Sequence, residues 1–151
     1  MITGGIGEGK TSRFLALYQE HKEGAVGFYS RKEYKDGEII GYSLVNLVTG
    51  ESRAHCRRVS SELNSDHILS QGRWAFDAKA FEWASQVITD ARSIWLDEVG
   101  ALEMRGEGFA PIINYAIEHD IDLYIAIRER YADRIFAPSQ YKSISFHFIR
   151  I

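Results

Sequence analysis

Residues 4–11 read Gly-Gly-Ile-Gly-Glu-Gly-Lys-Thr, a complete G-x-x-x-x-G-K-[ST] pattern that opens directly into an amphipathic stretch. Few patterns constrain a chain more tightly, because such a loop needs a buried strand to deliver it and a helix to follow it. Glycines let the backbone curl so that successive N–H groups face inward, and the positive end of the following helix completes a cradle for phosphate. On this spacing Gly4 and Gly9 meet the backbone's angular demands, Gly5 and Gly7 add freedom, and Lys10 reaches the β- and γ-phosphates of a nucleoside triphosphate. The Thr11 hydroxyl is expected in the shell of a Mg²⁺ ion. The whole cradle comprises Gly4, Gly5, Ile6, Gly7, Glu8, Gly9, Lys10, Thr11 and Ser12.

The flanks test this. After the loop, Phe14, Leu15, Leu17 and Tyr18 recur at helical spacing. Before it stand only Met1, Ile2 and Thr3. An ordinary buried strand is longer, so the expectation is a very short first strand or a native chain that begins upstream.

Further on, 24–30 (GAVGFYS) and 39–48 (IIGYSLVNLV) are β-branched and aromatic runs joined by Lys35-Asp36-Gly37-Glu38, which signals a hairpin. A second turn at Thr49-Gly50-Glu51 is expected to end that ribbon, and the polar stretch from Ser52 to Gly72 reads as a long loop. From an N-cap at Asp77, the residues Phe81, Ala84, Val87, Ile88 and Ala91 mark one helical face. Strands are expected at 93–96 (SIWL), 122–127 (DLYIAI) and 143–149 (SISFHFI), with helices carrying Phe109 to Ile117 and spanning 129–137 between them. Strands alternating with helices predict an α/β fold with a mostly parallel sheet, helices on both faces, and one antiparallel hairpin after the first helix.

The apolar run 93–96 ends in Asp97-Glu98, two carboxylates at the C-terminal end of a strand, where ligands gather in open α/β sheets. The pair resembles a Walker B element. Asp97 is expected to hold the Mg²⁺ together with Thr11, and Glu98 to orient or deprotonate the water that attacks the γ-phosphate. Lys10 and Glu98 are thus the expected catalytic residues.

The chain has 151 residues, 45% of them hydrophobic, and no linker-like stretch, which fits a single domain over 1–151. A net charge of −3 with scattered Lys and Arg gives no basic footprint for nucleic acid. One cysteine rules out an internal disulfide, and no long apolar run suggests a membrane span. A cytoplasmic protein with a nucleoside triphosphate as its ligand, and no nucleic-acid, membrane or obligate protein partner, is the expectation.

Several stretches together resemble the small P-loop nucleoside-triphosphatase family that includes the thermophilic NTPases and the human cancer-related nucleoside-triphosphatase. ITGGIGEGKTS is similar to the family's opening loop, GFYSRKEYKDGEIIGYSLVNL to its Gly-Phe-Tyr hairpin, and RWAFDAKAFEWA to a stretch with an aromatic, an Asp and a Phe-Glu. Most specific is DEVGALEM at 97–104, beside the family's Asp-Glu-Ile-Gly-Lys-Met-Glu-Leu, with Phe109 at the place of a family phenylalanine. The resemblance implies a P-loop three-layer sandwich and Mg²⁺-dependent hydrolysis of ATP, GTP and other nucleoside triphosphates to the diphosphate and phosphate, with loose base preference. Ala101 replaces the family's lysine, and the family's Thr-x-Glu-Asn-Arg-like segment and helix after the last strand have no counterpart before Ile151. Weaker catalysis and altered contacts to base or ribose are expected from these departures. A nucleotide or small-molecule kinase, or a weakly active nucleotide-binding switch, are the alternatives.

Other candidates compete with ordinary structural roles. Arg128 and Arg130 follow the DLYIAI strand and are placed to meet γ-phosphate charge, while Arg57, Arg58 and Arg73 flank the long polar stretch. Glu103 is either a helper of the water or a structural partner. His55, Cys56 and His67 lack zinc-site spacing. Phe28, Tyr29, Tyr42 and Trp74 are candidate base stackers with sheet packing as the default.

Overall fold

The computed structural model describes residues 1–5, 7–59, 68–135 and the backbone of 149–150. Strand β1 (Ile2–Gly4) is as short as the sequence predicts, yet all three residues are buried. It leads through the glycine loop into α1 (Lys10–Glu20), which buries Phe14 and Tyr18. The hairpin follows as β2 (Ala25–Lys35) and β3 (Glu38–Asn46). Its turn needs left-handed angles at both central residues, and Asp36 and Gly37 supply them with φ of 50° and 81°. At the far end Asn46 Oδ1 accepts hydrogen bonds from the N–H groups of Val48 (2.8 Å) and Thr49 (3.1 Å), which shapes the second turn.

Beyond that turn the expectation of a long loop fails. Ser52–Arg58 is strand β4, and Ile68–Gln71 and Trp74–Asp77 form a tight hairpin of β5 and β6. The reason lies in a register shift where Tyr42 faces Cys56 but Ser43 faces Ala54. The extra residue, His55, breaks the alternation of inward and outward side chains, so His55 and its neighbour Cys56 are both buried and no period of two is visible in the sequence. Residues 60–67 lie outside the described residues.

Helix α2 (Ala78–Gln86) starts where expected, with the Asp77 carboxylate accepting from Lys79 N at 3.0 Å, but it ends before Val87, which is exposed. Strand β7 (Ser93–Val99) is followed by a 3-10 turn (Glu103–Arg105), α3 (Ala110–Glu118), β8 (Asp122–Arg128), α4 (Glu129–Ile135) and β9 (Ile149–Arg150). Most of the strand expected at 143–149 lies outside the described residues.

Among the described residues one nine-stranded sheet runs β5-β6-β4-β3-β2-β7-β8-β1-β9. Neighbours from β2 through β7, β8 and β1 to β9 are parallel, and those from β2 through β3, β4 and β6 to β5 are antiparallel. The sheet is therefore mixed, the early hairpin being the start of a whole antiparallel half. Alternating residues of the central strands pack two separate cores. Phe28, Ile94, Leu96, Ile125 and Ile127 meet α2 and α3 residues such as Phe81, Ala84 and Ile113. Trp95 and Ala126 meet Phe14 and Tyr18 of α1, and Tyr124 stacks on Trp95 with ring centres 4.0 Å apart.

Candidate active site

Strand β1 ends at Gly4, and α1 begins at Lys10 with Gly9 as an N-cap that offers no side chain to the first-turn N–H groups. The left-handed angles of the loop fall at Gly7 (φ 80°) and Gly9 (φ 85°). Gly4, expected to need unusual angles, instead closes β1 as a strand residue. Ile6 lies outside the described residues. Lys10 is only 6% exposed, and its Nζ donates to the carbonyl oxygen of Gly5. The Glu8 carboxylate accepts from the Gly5 N–H, so one amide of the cradle holds the loop's own anion. Nothing in the sequence pattern marks Glu8 for that contact. It shows the loop's preference for negative charge.

Asp97 and Glu98 stand inside β7, not after it. Residues Thr11 and Asp97 meet: the Thr11 hydroxyl donates to Asp97 Oδ2 at 2.8 Å, and the Ser30 N–H approaches the same oxygen at 3.4 Å. The other oxygen, Oδ1, is buried with no hydrogen-bond partner among the described residues. Asp97 is 1% exposed, and burial, then the adjacent Glu98 charge, push its carboxyl up to about 7. A buried carboxylate with an unused oxygen beside a hydroxyl is a donor set for a hard divalent cation.

Glu98 is held differently. The register shift between Leu96 and Val99 along β8 inserts an extra residue, and Glu98 takes a φ of 58°, rare for a residue with a side chain. The kink turns its side chain out to be about one-third exposed, 3.9 Å from Arg128. Strain of this kind is concentrated at functional sites.

The other candidates separate cleanly. Arg128 reaches Glu98, whereas Arg130 lies over Tyr131 and donates to its hydroxyl at 2.8 Å. Arg57 bonds the carbonyl oxygen of Cys56 at 2.9 Å, and Arg58 pairs with Glu38. Glu103 is a brace: it accepts from Gly100 N at 2.6 Å and Phe109 N at 2.9 Å, closing the loop after β7. Phe28 is fully buried edge-on to Trp83 and stacks no base, and Tyr29 packs on the α1 side. Tyr42 and Trp74 line a cavity beside the acidic pair. His55 and Cys56 form no metal cluster among the described residues. Burial pushes the His55 imidazole down to about 4 and the Cys56 thiol up to about 12.

The sequence profile of the NTPase family matches residues 1–146. The chain belongs to this NTPase family. Nucleoside-triphosphatase THEP1 of Caldivirga maquilingensis is 31% identical over 114 residues, a match spanning 72% of this chain and 62% of that protein. The chain thus covers less than two thirds of that relative. Nucleoside-triphosphatase THEP1 of Archaeoglobus fulgidus is 26% identical over 89% of this chain and 81% of its own length. The chain also shares its fold with the solution structure of a human cancer-related nucleoside triphosphatase (TM-score 0.71, 17% identity, 99% of this chain and 86% of that one). The crystal structure of THEP1 from Aquifex aeolicus has a TM-score of 0.68 at 17% identity, with the same coverage of 99% and 86%.

Proposed function

We propose that this NTPase hydrolyses nucleoside 5′-triphosphates, ATP and GTP among them with loose base preference, to the diphosphate and phosphate with Mg²⁺, as a single P-loop domain of three layers. The observation that carries the reading is the 2.8 Å hydrogen bond between Thr11 and Asp97, which joins the end of the phosphate loop to the acidic pair. The three-layer arrangement is supported by α1 on one core and α2 and α3 on the other.

In this reading the amides of residues 4–12 and the first turn of α1 receive the phosphate tail, which displaces the Glu8 carboxylate from Gly5. Lys10 leaves the Gly5 carbonyl for the β- and γ-phosphates. Thr11 and Asp97 would hold the Mg²⁺, whose charge neutralises the phosphates. Glu98, turned outward by its kink, accepts a proton from the water that attacks the γ-phosphorus. Arg128 keeps Glu98 oriented. A cytoplasmic setting is consistent with one buried free cysteine, and no described helix is long and apolar enough to cross a membrane. The reading requires no nucleic-acid or protein partner.

Phosphate release from ATP and GTP with Mg²⁺ tests it. Glu98→Gln is expected to lower turnover by about 10²–10⁴-fold and to leave triphosphate affinity nearly intact, whereas Lys10→Ala loses both. Undiminished release by the Lys10→Ala variant would refute the reading.

A further inference from the structure

A cavity of about 340 Å³ lies beyond the acidic pair. Ser30, Asp97 and Glu98 form one wall, and Tyr42, Trp74 and Phe76 of the antiparallel half form another. None of the described loop residues from Gly4 to Ser12 lines it. If the reading above holds, the γ-phosphate sits at the acidic pair and the nucleoside lies at the opposite end of the tail. The cavity therefore begins where the bound nucleotide ends, on the side from which a nucleophile approaches.

Its size is wrong for water alone. A water occupies about 30 Å³ of liquid, so the space is roughly ten times too large, and it falls in the range of small-ligand sites. The lining has the chemistry of a ring and an anion together. Tyr42 and Trp74 stand edge to face with ring centres 5.3 Å apart, offering an aromatic wall. Three guanidinium groups edge the space: Arg73, 6.0 Å from the Trp74 ring, Arg128 beside Glu98, and Arg130 over Tyr131. Aromatic faces suit a nucleobase, and guanidinium forks suit a phosphate.

We propose that this cavity is an acceptor site for a nucleoside monophosphate, which takes the γ-phosphoryl group in competition with water. The proposal rests on the triphosphate reading above. A phosphate oxygen of the acceptor forms a bond to the γ-phosphorus, the bond from that phosphorus to the β,γ-bridging oxygen breaks, and the departing diphosphate keeps the electron pair. The monophosphate is mainly dianionic at neutral pH, its second pKa being about 6. No proton has to be removed, and one triphosphate plus one monophosphate give two diphosphates. Transfer therefore does not use Glu98 as a base, and hydrolysis does.

The test incubates the full chain with Mg²⁺, ATP labelled in the γ-phosphate, and AMP, GMP, CMP or UMP in turn. Label is expected in the matching diphosphate with at least one monophosphate, at the expense of inorganic phosphate. Trp74→Ala and Arg73→Gln should each raise the monophosphate concentration needed by about tenfold and leave phosphate release without acceptor unchanged. Arg73 is exposed, so its variant keeps the test valid if Trp74→Ala unfolds. Glu98→Gln should suppress release and spare transfer. Label in inorganic phosphate alone with all four monophosphates overturns the proposal and leaves the hydrolytic reading standing. If neither product forms, the hydrolytic reading falls, and calorimetry with a non-hydrolysable ATP analogue decides the cavity: absence of monophosphate binding overturns it, and so does binding that only competes with the analogue.

Discussion

The parallel and antiparallel halves of the sheet meet at β2 and differ in almost every physical respect. In the parallel half, β7 and the centre of β8 (125–127) are buried on both faces, and both strands end in the chemistry: Asp97 and Glu98 on one, Arg128 on the other, with Gly4 ending β1 beside it. In the antiparallel half, β4 carries arginines, a histidine and a cysteine and shapes the cavity next to that chemistry. Parallel strands place their C-terminal ends together, which is how residues far apart in sequence come to share one site. Antiparallel strands with a bulge instead build a wall.

The seam itself is the place to break this contrast. Gly27 lies in β2 opposite Trp95, and a Cβ there would sit 2.0 Å from the Trp95 carbonyl oxygen, an immovable backbone atom. Gly27→Ala is expected to separate the two halves and to cost more than about 4 kcal/mol, read as failure to give a cooperative melt. Gly41 makes a similar approach to the Cys56 carbonyl oxygen, 2.3 Å from its would-be Cβ, but deep in the antiparallel half. Gly41→Ala should distort the cavity and leave the parallel half folded. Equal losses from both substitutions would mean that the halves fold as one indivisible unit.

Next in size is Trp95, fully buried between α1 and β8. Trp95→Ala should destabilise by about 3–5 kcal/mol in urea unfolding, and it should also weaken nucleotide binding because α1 carries Lys10 and Thr11. A loss confined to stability, with affinity intact at low temperature, would show that the loop does not depend on that core.

How far the sequence could be read follows the same division. The parallel half was legible because its strands are short apolar runs and its functional residues obey spacing rules: the glycine loop and the acids near a strand end. In the antiparallel half the β2–β3 hairpin was legible from its Asp36-Gly37 turn, but β4, β5 and β6 were not, because the bulge at His55 erases alternation and the buried side chains there, His55 and Cys56, are not types that announce a core. Nor did the sequence reveal the kink at Glu98, since backbone angles at a non-glycine residue leave no compositional trace. The clustering of Thr11 with Asp97 was legible; the internal occupation of Gly5 by Glu8 was not.

The buried histidine sharpens the comparison with pH. His55 Nδ1 lies 3.1 Å from the Tyr42 carbonyl oxygen, which can only accept, so this nitrogen carries the proton of a neutral ring. In the folded chain the ring gains its second proton only near pH 4, against 6.5 for the ordinary group, because burial disfavours the charge. At this residue the unfolded chain binds more protons between those values, so the His55 contribution to stability is full above pH 6.5 and is lost as pH falls toward 4, by roughly 3 kcal/mol, while the raised Asp97 carboxyl acts with the opposite sign over the same window. The difference in urea midpoint between the unmodified chain and His55→Gln across that window isolates the histidine's share. His55→Gln should lower stability at neutral pH but narrow its deficit as pH falls toward 4, and a deficit that stays constant with pH would show that the His55 ring does not titrate as described.

The smallest expected effect concerns a tie across the two halves. Arg105, in the 3-10 turn after β7, donates to Gln71 Oε1 at 2.5 Å and to the Ser70 carbonyl oxygen at 3.3 Å in β5, and pairs with Glu107 at 2.7 Å. These groups are partly exposed, so Arg105→Ala should cost no more than about 1 kcal/mol of global stability. Its effect should be local: the amides of β5 and β6 are expected to exchange hydrogen faster, with β7 and β8 unchanged, because this edge hairpin rests on β4 alone within the sheet. Unaltered exchange in β5 and β6 would show that the hairpin is held by its packing and that the guanidinium is a surface contact without mechanical consequence.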